Sequence, residues 1–262
     1  MRLATWNVNS LKVRLPHLLD WLTQAAPDVV CLQETKLEDV AFPVAALAEQ
    51  GWHVAFAGQK TYNGVAILAR DPLEQVSRGI PGFDDPQQRV ISATVRGVRI
   101  VCVYVPNGQA VDSDKYRYKL SWLAALENWL AGEVATHARL AVLGDYNIAP
   151  HDRDVYDPAA FADGILVSPA ERAAFRRLLE LGLVDSHPSA DQTEPAFTWW
   201  DYRMASFRRN LGLRIDHILL TSELARHAFD WRVDRTPRRL ERPSDHAPVL
   251  VDVAVDEGPA AI

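Results

Sequence analysis

The chain has 262 residues, 48% of them hydrophobic, and a formal net charge of −6. That length and apolar content are ample for the core of one large domain, while the net acidity argues against attraction of nucleic acid to the surface as a whole. Only two cysteines are present, and no apolar run approaches the length that spans a bilayer, so neither a disulfide scaffold nor a membrane-spanning helix is expected.

In chain order, RLATWNVN reads as a strand from residue 2, which leaves no room for a signal peptide and predicts a cytoplasmic protein. Leu15, Leu18, Leu19 and Leu22 recur at helical spacing, and Pro27 ends that helix. DVVCLQET follows as a short buried strand. A second helical segment around FPVAALAEQG leads to WHVAFAG and NGVAILAR, two strands joined by a polar turn. RVISATV and VRIVCVYV flank an Arg-Gly turn and predict a hairpin. Cys31 and Cys102 sit inside apolar strand runs and read as small core residues.

Residues 116–131 predict a long amphipathic helix with Leu120, Leu123 and Leu130 inward, before the strand LAVLGDYN. The sharpest helix start is SPAE, where Ser168 caps, Pro169 suits the first helical position and Glu171 completes a capping box. Phe175, Leu178 and Leu179 form its apolar face, and Gly182 suits its C-terminal cap. FTWWDY, RIDHILLT, a short helix near ELARH, WRVDR and VLVDVAV complete the order. Consecutive strands often meet without an intervening helix, so the fold class is α/β with two packed sheets and helices outside. One domain over residues 1–256 is expected, with a frayed tail at 257–262.

The polar residues gather at strand ends. Asn7 and Asn9 close the first strand, Glu34 the second, and Tyr104 and Asn107 follow RIVCV. Asp145 and Asn147 close LAVLG, Asp216 and His217 close RIDH, and Asp245 and His246 precede the last strand. Each alone is ordinary turn chemistry. Six together at one mouth suggest a shared cleft. The oxygen-rich set, with no cysteine and little histidine, favours Mg²⁺ or Mn²⁺ over zinc, and such a cation can polarise a phosphodiester. Adjacent Ser244, Asp245 and His246 do not make a serine-hydrolase relay, because successive residues of an extended chain face opposite ways and no G-x-S-x-G elbow exists.

Residues 200–242 hold ten arginines against six acids, a local +4 beside −10 for the remainder. By count, such a stretch is as readily a solvated face as a polyanion site.

TWNVNS, PDVVCLQETK, NGVAIL, YVPNG, LGDYNIAP, LVDS, FTWWDYR, GLRIDHIL and PSDHAPV, in this order, resemble the exonuclease III family of abasic-site endonucleases, within the DNase I-like phosphoesterases. The resemblance covers residues 5–249. It implies a four-layer αββα sandwich of two mainly antiparallel sheets flanked by helices. It also implies Mg²⁺, with Mn²⁺ able to substitute, held by Glu34 with Asn7, Asp145, Asn147, Asp245 and His246 around it. Asp145 would then handle the proton of the attacking water or of the leaving oxygen. Asn147 and Tyr104 would donate to the scissile phosphate, and His246, kept cationic by Asp216, would contact it.

The DNA side implied by the same resemblance is an apolar pocket for a flipped-out, baseless sugar from Trp199, Leu213 and Ile215, with Trp200 beside it. Arg203 would enter the duplex, Asn107 would contact backbone, and Arg208 and Arg209 would meet phosphates. Asn9 stands where some relatives carry an acid, and His217 reads more as a satisfied core histidine than a ligand. The expected activity is Mg²⁺-dependent incision 5′ to abasic sites in duplex DNA, with possible 3′→5′ exonuclease and 3′-phosphatase or phosphodiesterase action in base excision repair, by a monomer with no membrane partner. A 3′-end-cleaning enzyme, a small-molecule or lipid phosphoesterase, and a DNA-binding module without catalysis are the alternatives. Retention of Glu34, Asp145, Asp216 and Asp245 argues against the last.

Overall fold

β1 (Arg2–Asn7) and β2 (Val29–Gln33) lie parallel, joined over the outside of their sheet by α1 (Leu11–Ala25). A computed structural model of the chain describes residues 1–188 and 195–255. After α2 (Val44–Glu49) come β3 (His53–Ala57) and β4 (Val65–Ala69), then β5 (Glu74–Arg78) and the hairpin of β6 (Val90–Val95) with β7 (Val98–Tyr104). α3 (Asp114–Thr136) crosses to β8 (Leu140–Asp145), which runs parallel to β7. The short α4 (Pro158–Phe161) and α5 (Pro169–Glu180) precede β9 (Leu183–Asp185). α6 (Ser206–Arg209), β10 (Asp216–Thr221), α7 (Ser222–Ala225), β11 (Ala228–Val233) and β12 (Val249–Val253) complete the described elements.

Two six-stranded sheets result, ordered β11-β12-β1-β2-β4-β3 and β5-β6-β7-β8-β10-β9, and every other pairing is antiparallel. Because both faces of the central strands are covered, their sequences are continuously apolar rather than alternating. Leu3, Val29, Cys31, Ile67, Ile100, Cys102, Leu143 and Ile218 fill the space between the sheets. The alternate residues point outward: Ala4, Trp6, Val30 and Leu32 toward α1, and Val101, Val103, Val142 and Leu219 toward α3 and α5. This is the αββα sandwich expected, and both cysteines are free and buried in it.

Local chemistry explains most element ends. The Ser168 hydroxyl accepts from the Glu171 amide while the Glu171 carboxylate accepts from the Ser168 amide, the reciprocal capping box. Arg96 and Gly97, at φ 49° and 73°, make the left-handed turn that the β6–β7 hairpin requires. Gly144 is needed for packing, since a Cβ there would lie 1.9 Å from the Val103 carbonyl oxygen on the neighbouring strand. Three expectations change. FTWWDY is not a strand, because Trp199 makes only isolated bridges, to Leu213 and His246. The helix expected over 116–131 runs from 114 to 136, with Leu120 half-buried and Lys119 fully buried. β5 and β9 were not anticipated. The tail expected at 257–262 lies outside the described residues.

Candidate active site

The antiparallel partners bring the strand ends to one mouth between the sheets. Asn7 closes β1, Glu34 follows β2, and Ser244–His246 lead into β12, which pairs with β1 from Thr5↔Val249 onward. From the other sheet, Tyr104 closes β7, Asp145 closes β8 and Asn147 follows it. Asp216 does not end a strand as expected; it opens β10. Since β10 is antiparallel to β8, Asp216 still lies opposite Asp145.

At the centre, Glu34, Asp145 and His246 each present an atom able to ligate a metal, all within 4.8 Å of one another. The Asn7 Nδ2 donates to Glu34 Oε1 and to Asp145 Oδ2, both at 2.9 Å, while its Oδ1 accepts from the Asn9 amide. Asn7 therefore ties the carboxylates of the two sheets together. Lys36 Nζ, which sequence reasoning missed although it lies two residues beyond Glu34, is 2.8 Å from Glu34 Oε2. Four non-glycine residues here adopt positive φ: Asn9 at 42°, Glu34 at 53°, Lys36 at 54° and Asn147 at 49°. Such strained backbone clusters where surrounding contacts over-determine a functional geometry.

Electrostatics sorts these groups. Burial drives the Asp145 carboxyl upward, and although His246 draws it back, Asp216 adds to the rise, leaving it at about 7. For Glu34 burial also pushes up, but Lys36 outweighs it, helped by the bond from Asn7, and the carboxyl falls below its ordinary value. His246 Nδ1 lies 2.8 Å from Asp216 Oδ2, and Nε2 lies 3.8 Å from Asp145 Oδ2. Burial opposes charge on the ring, yet Asp216 and then Asp145 outweigh it and raise it to about 10. A charged imidazole is a donor without a lone pair, so ligation by His246 would first require loss of that proton. Burial, then Glu34 and Asp145, pushes the Tyr104 hydroxyl well above its usual range, which keeps it a neutral donor.

The donor set fits a divalent cation: two carboxylates side by side in a cleft without cysteine. Asp245, expected on the metal side, is not one of the three clustered groups. Its carboxylate accepts from Asn9 Nδ2 at 2.9 Å and Trp199 Nε1 at 3.0 Å, and Asn9 Oδ1 in turn accepts from Lys36 Nζ. Asn147 Nδ2 donates to the Val105 carbonyl and Asp145 Oδ2, and its Oδ1 accepts from Asn107 Nδ2.

Of the residues expected to form the apolar DNA pocket, Trp200 and Leu213 are 0% exposed and Ile215 2%. Trp200 packs edge-on against Phe207, while Leu213 and Ile215 pack with Ala149 and Val155. Of that group Trp199 alone stays half-buried at the rim. Arg203, Arg208 and Arg209 are exposed beside Tyr202 and Met204, and Arg203 is paired with Asp201. Arg214 and Arg238 are buried, so the +4 segment puts less charge on the surface than its count suggests. His217 is a satisfied core histidine, its Nε2 on the Ile148 carbonyl and its Nδ1 on Arg214. No helix among the described residues is long and apolar enough to cross a membrane.

Residues 4–246 match the Endonuclease/Exonuclease/phosphatase family. The sequence is 35% identical over 266 residues to the exodeoxyribonuclease III of Haemophilus influenzae, covering 96% of this chain and 99% of that one. The structure of a 3′ phosphatase from Neisseria, bound to a product DNA hairpin, superposes with a TM-score of 0.95 at 50% identity, covering 97% of this chain and 100% of that one. An AP endonuclease from Archaeoglobus fulgidus superposes with a TM-score of 0.93 at 38% identity, covering 97% and 100%.

Proposed function

Because this chain belongs to the endonuclease/exonuclease/phosphatase family, we propose that its cleft hydrolyses DNA phosphodiesters 5′ to abasic sites and trims blocked 3′ ends, with Mg²⁺ as cofactor. The protein is a nuclease of the exonuclease III type. The observation that carries the reading is the meeting of Glu34, Asp145 and His246 from both sheets, with Asn7 bridging the two carboxylates.

Glu34 and Asp145 would hold the cation, with Asn7 orienting both. A cation bound there would supply Lewis-acid polarisation of the phosphate and offset the negative charge that develops on it. The chain's own residues do the rest. Asp145, its carboxyl pushed upward by burial, would take the proton of an attacking water and release it again. His246, held charged by Asp216, donates to a phosphate oxygen, and Tyr104 offers a neutral hydroxyl from the opposite wall. Asn147 Nδ2 spends its protons on the Val105 carbonyl and on Asp145 Oδ2, and so orients that carboxylate. Trp199 at the rim and the exposed Arg203, Arg208 and Arg209 meet the duplex.

The Neisseria relative, a 3′ phosphatase, favours a second reading in which only 3′ ends are processed. One labelled duplex with an internal abasic-site analogue and another with a recessed 3′-phosphate separate the two, each in Mg²⁺, in EDTA and with Asp145→Asn. Mg²⁺-dependent cutting 5′ to the analogue, lost in the variant, is expected. Release of the 3′-phosphate alone selects the second reading. No reaction on either duplex overturns both.

A further inference from the structure

Lys119 is a charged residue on the buried stripe of α3, between Tyr116 and Trp122, and is 0% exposed. Its ammonium has three protons and three acceptors. Nζ donates to the Asn147 carbonyl at 2.7 Å, to the Asn107 carbonyl at 3.2 Å and to Glu171 Oε1 at 2.5 Å. Asn107 follows β7 and Asn147 follows β8, so one buried cation holds the main chains of both loops that border the cleft.

Glu171, also 0% exposed, is fully used as well. Its Oε2 accepts from the Ser168 amide at 3.0 Å and the Ser168 hydroxyl at 2.8 Å, and that hydroxyl meets the Tyr116 hydroxyl at 2.7 Å. Gly108, at φ 91°, lets its loop press against the lysine stem, since a Cβ there would lie 3.1 Å from Lys119 Cδ. Asn147 is held in the left-handed region, and its amide bonds Asn107 on one side and Asp145 on the other.

Stability alone does not account for such a pair. A buried ion pair is generally no better than well-packed apolar residues of the same volume. What apolar residues cannot do is fix two carbonyl oxygens. We infer that Lys119, braced by Glu171, is a positioning residue for hydrolysis: it sets the placement of Asn107 and Asn147, and through Asn147 the orientation of Asp145. Lys119 itself reaches no substrate. This rests on the nuclease reading above.

The test is the double variant Lys119→Met/Glu171→Gln, in which glutamine retains the capping box and no buried charge is left alone. Its melting temperature, its kcat and KM on the 3′-phosphate duplex in Mg²⁺, and amide hydrogen exchange over residues 107–109 and 146–149 are compared with the parent. Expected are a melting temperature close to the parent, KM within about 3-fold, kcat lower by about 10- to 100-fold, as for an ångström-scale misplacement, and exchange in both loops faster by at least about 10-fold. A double variant with parental kcat and parental exchange overturns the inference. Lys119→Leu/Glu171→Gln serves should the methionine variant not fold. If neither folds, the pair is a folding requirement and the positioning role is wrong. A parent inactive on every duplex overturns the nuclease reading, and the exchange data still decide whether the clamp orders the loops.

Discussion

Replacing Arg214 with methionine should destabilise this protein more than any surface change, because one buried cation serves the buried Asp154 and the partly buried Asp185. The guanidinium is 2% exposed. Nε donates to Asp154 Oδ1 at 2.7 Å, Nη2 to Asp154 Oδ2 at 3.2 Å, and Nη1 to Asp185 Oδ2 at 2.7 Å. Methionine keeps an unbranched stem and deletes the charge. Breaking a buried pair by removing one partner costs about 3–5 kcal/mol, and at about 2–4 °C per kcal/mol for a large domain the melting temperature should fall by about 6–20 °C. The pH dependence has a definite sign. For Asp154 and Asp185 burial pushes the carboxyls up, but Arg214 outweighs it and holds both below the ordinary 3.8. Their stabilisation is thus fully present above pH of about 4 and lost as pH falls through the lowered folded values. The gap between parent and variant should be widest at neutral pH and already narrower at pH 4, because burial without Arg214 raises the variant's stranded carboxyls and they protonate before those of the unfolded chain. Urea unfolding of the metal-free protein at pH 7 and pH 4 measures this, and Arg214→Met/Asp154→Asn/Asp185→Asn should regain most of the loss. A cost below about 1 kcal/mol at pH 7, or one unchanged at pH 4, would refute the electrostatic account.

Three further outcomes are expected. Saturating Mg²⁺ or Mn²⁺ should raise the unfolding free energy by about 2–4 kcal/mol in a thermal-shift titration, and Glu34→Gln should abolish the gain; an undiminished shift would remove Glu34 from the metal site. Trp200→Ala should cost about 3–5 kcal/mol of stability, whereas Trp199→Ala should weaken duplex binding at nearly parental stability; the opposite pattern in paired denaturation and binding measurements would put Trp200 at the interface. Gly144→Ala must separate β7 from β8, where Tyr104 and Asp145 are register partners, so melting temperature and kcat should fall together, and an active, stable variant would show that the strands yield at no cost.

The fold is most legible in the sequence where the controlling chemistry is local. The Ser168–Glu171 capping box, the Arg96–Gly97 turn and the strands buried on both faces are each written within a few residues. β5, with a single apolar residue in EQVSR, carries no pattern, and FTWWDY has strand composition while its backbone bonds go to Leu213 and Asp245. The site residues Glu34, Asp145, Asp216 and His246 were legible as types in motifs. Their pairings were not, because Asn7 reaches Asp145 across 138 positions and Lys119 reaches Glu171 across 52. The same limit hid Arg214, which looked like part of a basic surface until Asp154 and Asp185 were seen around it. Trp200 carries a related ambiguity: an indole in a polar stretch reads alike whether it faces a duplex or packs on Ala247, as it does here.

The cleft draws on residues from Asn7 to His246, at opposite ends of the sequence, and this has a consequence during synthesis. The first sheet is incomplete until β12 inserts beside β1, and domains emerge from the ribosome N-terminal end first. A growing chain that already displays Glu34 and Asp145 still lacks the imidazole and its strand. Cutting power should therefore switch on abruptly, as β12 docks, and stalled or prematurely ended chains should lack it.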